Sequence, residues 1–250
     1  MKITKELLKE KGACAAGYRD FLKEYPVDKY PDGVEYQELL DCCAEKNFSY
    51  GSWLLGAFGK TDEVRKIEGD LITEKGIIFA GQLEAEGCIK AGWGIEAGEG
   101  IEAGGGIEAG EGIEAGEGIE ADWGIKAGCG IKAGCGIKTG LDIEAGDGIE
   151  AGGGIEAGGG IRARGGINAG NGIEAGGGIK ACYGIKARYG IEAGWGIEAG
   201  DGIEAGCEYG IYAGLRCRIT HKTQRKIIAK KRPENIMCGE FEEKKDDAVR

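Results

Sequence analysis

Two serines, Ser49 and Ser52, and a single histidine, His221, leave this chain almost without the side chains that catalysis draws on. That scarcity excludes a Ser-His-Asp device, and His221 has no partner group beside it in sequence to make it a general base. His and Cys do not occur at ligand spacing, so no metal centre and no cofactor are expected. Asp-rich loops of the Ca²⁺-binding repeat type are missing too. No apolar run approaches the ~20 residues of a membrane span, and Met1-Lys2-Ile3-Thr4 opens no signal-peptide pattern. The cysteines are scattered without a Cys-x-x-Cys pair, which fits reduced thiols in a cytoplasmic protein.

What the chain has instead is a repeat. An aliphatic anchor stands at every sixth residue from Leu71 through Ile77, Leu83, Ile89 and Ile95 to Ile203, with no slip of phase. The unit is clearest at Ile95-Glu96-Ala97-Gly98-Glu99-Gly100. Ile at the first place and Ala at the third alternate with a charged residue at the second, and alternation of period two is the mark of a strand. Ile95 and Ala97 are therefore predicted to point inward and Glu96 outward. The Gly-x-Gly that follows reads as a corner, because glycine is depleted in strands and free to take positive φ. Short sides and corners repeated along an axis give a mainly β fold: a parallel β-helix of six-residue units. A helix is excluded by the glycine content and collagen by the glycine spacing. A flexible linker would have no use for strict Ile anchors.

Three units per turn, eighteen residues, would stack Lys126, Lys132 and Lys138 between glutamates at about 4.8 Å. Charges at the second place pair almost as well at twelve residues as at eighteen. Eighteen is preferred because a triangular tube closes six-residue sides. The repeat is silent on handedness.

The flanks differ. Residues 1–66 read as a helical module, with Thr4 capping a helix over Lys5–Glu10, a second over Ala15–Leu22 stopped by Pro26, and a turn at Asp32-Gly33. Val34–Lys46 is amphipathic, and Ser49–Phe58 makes a fourth helix. A solenoid end exposes apolar core and unpaired edges, so this module is expected to cap the tube or to bind a partner. Residues 67–207 are the repeat. In 208–250, Ile211 lies two residues out of phase, and Tyr212, Leu215, Cys217 and Ile219 suggest one last strand, so that a strand or two cap the C-terminal end of the tube before a frayed charged tail.

Charge is concentrated in the repeat, which carries 22 acidic and 10 basic residues from Leu71 to Gly206, a net −12 against −11 for the whole chain. From Ile95 to Asp122 there are nine acidic groups and no basic one: Glu96, Glu99, Glu102, Glu108, Glu111, Glu114, Glu117, Glu120 and Asp122. Such packing costs stability through like-charge repulsion, which alternating Lys would avoid. The acidic run is therefore a candidate partner-binding surface. Trp93, Trp123, Tyr183, Tyr189 and Trp195 stand in corners, and exposed aromatics beside charge suit protein recognition.

The six-residue aliphatic anchor resembles that of the hexapeptide-repeat β-helix proteins. The acyltransferases among them favour a small residue four places after the anchor, where this chain has Trp93, Glu99, Glu111 or Trp123, and they rely on a histidine in the coils. Acetyl transfer is therefore not carried over. In shape and charge the chain is similar to acidic pentapeptide-repeat proteins that imitate DNA, and its helical head before a short-repeat tube resembles small phage-borne proteins. That resemblance implies a non-enzymatic inhibitor, an anti-CRISPR or similar anti-defence protein acting in a bacterial host, that blocks a basic nucleic-acid-binding groove of a protein partner. A structural, self-assembling solenoid is the rival expectation, with an enzyme third. A homodimer is compatible with either of the first two. Direct nucleic-acid binding through the basic Arg216–Arg232 segment is disfavoured, because the adjoining tube would repel phosphates.

Overall fold

A computed structural model describes residues 1–47, 49–206, 210–214 and 226–244. The repeat forms a parallel β-solenoid whose strands rotate in order over three walls; with the strands that flank it, the three parallel sheets hold ten, ten and eight strands among the described residues. The first wall opens with Val64–Ile67, the second with Leu71–Thr73 and the third with Ile77–Phe79. Each strand pairs with those one turn before and after it: Ile107 lies beside Ile89 and Ile125, and Ile113 beside Ile95 and Ile131. Eighteen residues per turn is thereby fixed.

Alternation within the unit works as the sequence implies. Ile and Ala of nearly every unit are buried and the residue between them faces out, as in Ile107–Ala109 and Ile125–Ala127. Their side chains form one continuous core along the axis. Burying an Ile contributes about 1.5–3 kcal/mol, so the tube gains its stability in equal small increments along its length. The backbone ladder continues through the corners: Gly116 N donates to Ala97 O at 3.0 Å, Glu117 N to Glu99 O at 3.1 Å and Ile119 N to Gly136 O at 3.0 Å. Corner polar groups are satisfied by the neighbouring turns rather than by solvent.

That stacking gives the corner glycines a different reason from the one expected. Among the described glycines only Gly12, Gly33, Gly59, Gly69, Gly214 and Gly239 have positive φ, and none belongs to the regular repeat. At the fourth place of a unit the constraint is space: a Cβ on Gly128 would lie 2.0 Å from Gly110 O, and one on Gly134 2.0 Å from Gly116 O. Where that place holds Arg164, Cys182 or Arg188, the ladder bond it donates lengthens to 3.3 Å.

The head comprises helices α1 (Lys5–Glu10), α2 (Ala15–Glu24), α3 (Tyr36–Lys46) and α4 (Gly51–Phe58). Thr4 Oγ1 caps α1 by accepting from Leu7 N at 3.2 Å. Val34–Glu35, expected to begin α3, instead pairs antiparallel with Lys2–Ile3. The chain turns into that pair through Gly33, whose φ is +86° and where a Cβ would meet Ile3 O at 2.6 Å. The head has its own core, built on Leu8, Phe21, Val34, Tyr36, Leu39, Leu40 and Leu54.

The head lies against the open edge of the third wall. Gln37 accepts from Ala80 N at 3.1 Å and donates to Ile78 O at 2.8 Å, standing in for the strand that the edge lacks. Gly76 N donates to Ala44 O at 3.3 Å. Ile78, at an outward place normally charged, is covered by the head and joins its core.

At the other end more strands form than the one or two expected, and the acidic residues Glu240, Glu242 and Glu243 belong to the last of them. Beyond Ile203 four strands continue the tube: Ile211–Ala213, Lys226–Ala229, Ile236–Cys238 and Glu240–Glu243. Ile211 pairs with Ile191, the two-residue insertion being absorbed before it, and Ile227 pairs with Ile197. Leu215, Cys217 and Ile219, expected in one last strand, lie outside the described residues.

Candidate functional site

Folding into turns of eighteen residues breaks up the acidic run that the linear sequence presents. Glu102 and Glu120 stand on the first wall, Glu108 on the second, and Glu96 and Glu114 on the third. Glu99 and Glu117 occupy the corner entering the first wall, Asp122 the corner leaving it, and Glu111 the corner entering the third. The run is longer than one turn, so it encircles the tube instead of forming one face.

Most of these carboxylates also have partners. Lys90 lies 3.4 Å from Glu108, Lys132 3.1 Å from Glu114 and Lys138 3.7 Å from Glu120. Lys60, from the segment joining head to tube, reaches Glu99 at 3.3 Å and Glu117 at 2.6 Å. Gln82 donates to Glu102 at 2.9 Å. These pairs are each worth about 0–1 kcal/mol; they leave Glu108, Glu114, Glu117 and Glu120 about half exposed, while Glu99 is largely covered. Glu96 differs again. It accepts from Ser52 Oγ at 3.0 Å beneath the head. Burial there pushes its carboxyl above the ordinary range; the Ser52 hydrogen bond opposes the shift and the Glu114 charge adds to it.

Read down the walls, the charges sort differently. The second wall alternates Lys90, Glu108, Lys126, Glu144 and Arg162, then Lys180 and Glu198. The third mixes Glu96, Glu114, Lys132, Glu150, Asn168, Lys186 and Glu204. The first is acidic: Glu84, Glu102 and Glu120, then Lys138, then Glu156, Glu174 and Glu192. Its upper half is a shallow groove lined by Glu68, Glu84, Glu86, Glu102, Glu120 and Asp122, with Lys66 the one cation. Glu68, Glu84 and Glu86 precede the acidic run and were not among the residues it singled out. A reading in steps of eighteen finds them: Glu84 aligns with Glu102 and Glu120, and Glu68 with Glu86 and Asp122.

The aromatic corners separate in the same way. Trp123 and Trp195, 60% and 56% exposed, share the corner between the first and second walls with Leu141, 56% exposed. Tyr183, 63% exposed, stands between the second and third walls, and Tyr189, 40% exposed, between the third and first. Trp93 shares the Tyr183 column but is half-buried in the groove beneath the head.

Of the basic segment, Arg216, Arg218, Lys222 and Arg225 lie outside the described residues, as does His221. Lys226 pairs with Glu242, Lys230 lies 3.6 Å from Asp201, and Arg232 sits over the Phe241 ring at 5.9 Å. Among the described residues no group of three His, Cys, Asp or Glu could hold a metal ion, and no helix is long and apolar enough to cross a membrane. The chain matches no protein-family model, no curated protein and no solved structure.

Proposed function

We propose that the tube is a non-enzymatic binding protein whose first wall docks into a basic nucleic-acid-binding groove of another protein and blocks it. A phage-borne inhibitor of a CRISPR or similar defence nuclease, acting in the bacterial cytoplasm, would work in this way. The observation that carries the reading is the first wall's column of carboxylates, Glu84, Glu102 and Glu120, flanked on its two corners by Glu86, Asp122, Glu99 and Glu117. This makes two to three carboxylates per turn of about 4.8 Å, against about three phosphate charges over the same length of duplex DNA. Held on a hydrogen-bonded wall, they need no ordering when a partner arrives. The rival reading, open end-to-end assembly, is disfavoured by α3, which occupies the edge of the third wall on which another tube would add.

The test is competition. A labelled duplex is bound to each of a panel of DNA-handling nucleases, and its release by the chain is followed by fluorescence polarisation. Release from at least one nuclease, weakening steeply with salt and lost in the Glu84→Lys, Glu102→Lys, Glu120→Lys variant, is the expected result. The control variant Glu108→Lys, Glu144→Lys on the second wall should release the duplex as the wild type does. Equal loss in both variants, no loss in the first, or release from no nuclease would overturn the reading.

A further inference from the structure

Between Leu141 and Trp195 the corner joining the first and second walls loses its side chains for two successive turns. Gly158-Gly159-Gly160 and Gly176-Gly177-Gly178 carry no side chains there, in a groove that Trp195 closes at one end, and the Asp142 carboxylate of the preceding turn lies over the first of them, accepting from Gly160 N at 2.6 Å. Leu141 and Trp195 are three turns apart, about 14 Å at the interstrand spacing. With two exposed side chains as jaws, the saddle has room for one α-helix, about 10 Å across, lying over the corner at right angles to the tube axis.

The charges beside the saddle are placed to match. On the first-wall side the two glycine turns are flanked by Glu156 and Glu174, neighbours in the ladder. On the second-wall side they are flanked by Arg162 and Lys180, also neighbours. This is the one place where the second wall's alternation of sign breaks. Arg162 lies 3.8 Å from Glu144 and Lys180 2.8 Å from Glu198, yet both side chains stay more than half exposed, at 69% and 53%. Two like-charge contacts, each unfavourable to the tube, thus face each other across a glycine corner between exposed apolar jaws, with Asp142 the one carboxylate lying on the corner itself. A helix across the corner would cover both: its N-terminal end, positive by the backbone dipole, over the glutamates, and its C-terminal end over the cations.

We propose that this saddle receives an amphipathic α-helix of a partner protein, with basic residues at its N-terminal end, acidic residues at its C-terminal end and an apolar stripe between. Trp123 and Leu141 grip one side and Trp195 the other. The proposal concerns the other half of the tube from the acidic groove, and it stands whether or not the first wall meets a nucleic-acid-binding protein.

The probe is a synthetic helical peptide of about fifteen residues, long enough at 1.5 Å per residue to reach both walls. It carries a Leu stripe, Lys in the first turn and Glu in the last, and is compared with a peptide of the same composition whose charges are shuffled. The split-charge peptide should bind the full chain about tenfold more tightly, as expected from a few exposed pairs. On binding, the indole resonances of Trp123 and Trp195 should shift while those of Trp53 and Trp93 stay. A nitroxide on the peptide's N-terminus should broaden the amides of Glu156 and Glu174 rather than those of Arg162 and Lys180. Gly177→Trp, which fills the saddle, and Trp195→Ala, which removes a jaw, should each lose at least about tenfold in affinity. Two variants are used so that a folding failure in one still leaves a reading. Equal affinity for the two peptides, shifts confined to other indoles, broadening on the second wall, or wild-type affinity in a folded variant would each overturn the proposal.

Discussion

The first and second walls are built from one backbone, one inner row of Ile and Ala and one hydrogen-bond ladder; they differ in what stands at the outward place. The second wall sets opposite charges side by side, as any tube seeking only stability would. The first wall stacks glutamate on glutamate along most of its length. Since the second wall shows that this fold accommodates alternation, the fold does not require the first wall's arrangement. The difference locates the part of the surface that something other than folding has shaped.

The comparison holds only if the two walls share a core in energy as well as in geometry, and removing a core anchor tests this with the largest effect. Ile119→Ala in the first wall and Ile125→Ala in the second delete equivalent fully buried side chains. Each should cost about 2–5 kcal/mol in denaturant unfolding, and the two should agree within about 0.5 kcal/mol. A clear inequality would mean that the walls differ inside as well as outside. The corners come next. Gly134→Ala should cost about 1–3 kcal/mol, because its methyl would lie 2.0 Å from Gly116 O. Gly136→Ala, 3.3 Å from Gly154 O, should cost less than about 0.5 kcal/mol. Equal costs would show that conformational freedom, not stacking distance, selects glycine. Among the described residues Thr139 is the one polar residue buried in the inner rows, and its hydroxyl has no partner there. Thr139→Val keeps the shape, removes the unsatisfied group and should raise the first wall's stability by about 1 kcal/mol.

How much of this was legible beforehand follows from which residues repeat. Period, strand, inward Ile and Ala and outward charge all lie in the six-residue unit itself; three-walled closure does not, since the charges pair almost as well at twelve residues, and the strand register fixes it. The acidic wall does not, because charges that are neighbours in space lie eighteen apart in sequence: Glu84 belongs with Glu102 and Glu120, not with the run that opens at Glu96. The need for glycine was legible, but its cause was not, since the carbonyl that excludes a Cβ belongs to the preceding turn. The docking of the head rests on Gln37 and Ile78, single residues with no period; the one hint was an isoleucine at a place that is charged in most units. The last strands break phase at Ile211, Ile227 and Ile236, where a period can no longer guide the eye.

The smallest effect sharpens the comparison most, because its sign should reverse between the walls. Glu102 stands between Glu84 and Glu120 in the first wall, and Lys126 between Glu108 and Glu144 in the second. Glu102→Lys converts two like contacts into two opposite ones, losing the Gln82 hydrogen bond, and should stabilise the tube by about 0.2–1 kcal/mol. Lys126→Glu makes the opposite exchange and should destabilise it by a similar amount. Raising the salt to about 1 M shortens the screening length to about 3 Å, below the spacing of the rungs, so both shifts should shrink together. If Glu102→Lys stabilises the tube while weakening nuclease competition, the wall's acidity is held against the interest of the fold, as a binding surface requires. If it destabilises, the glutamate column serves the fold after all, and the contrast between the two walls no longer argues for a partner.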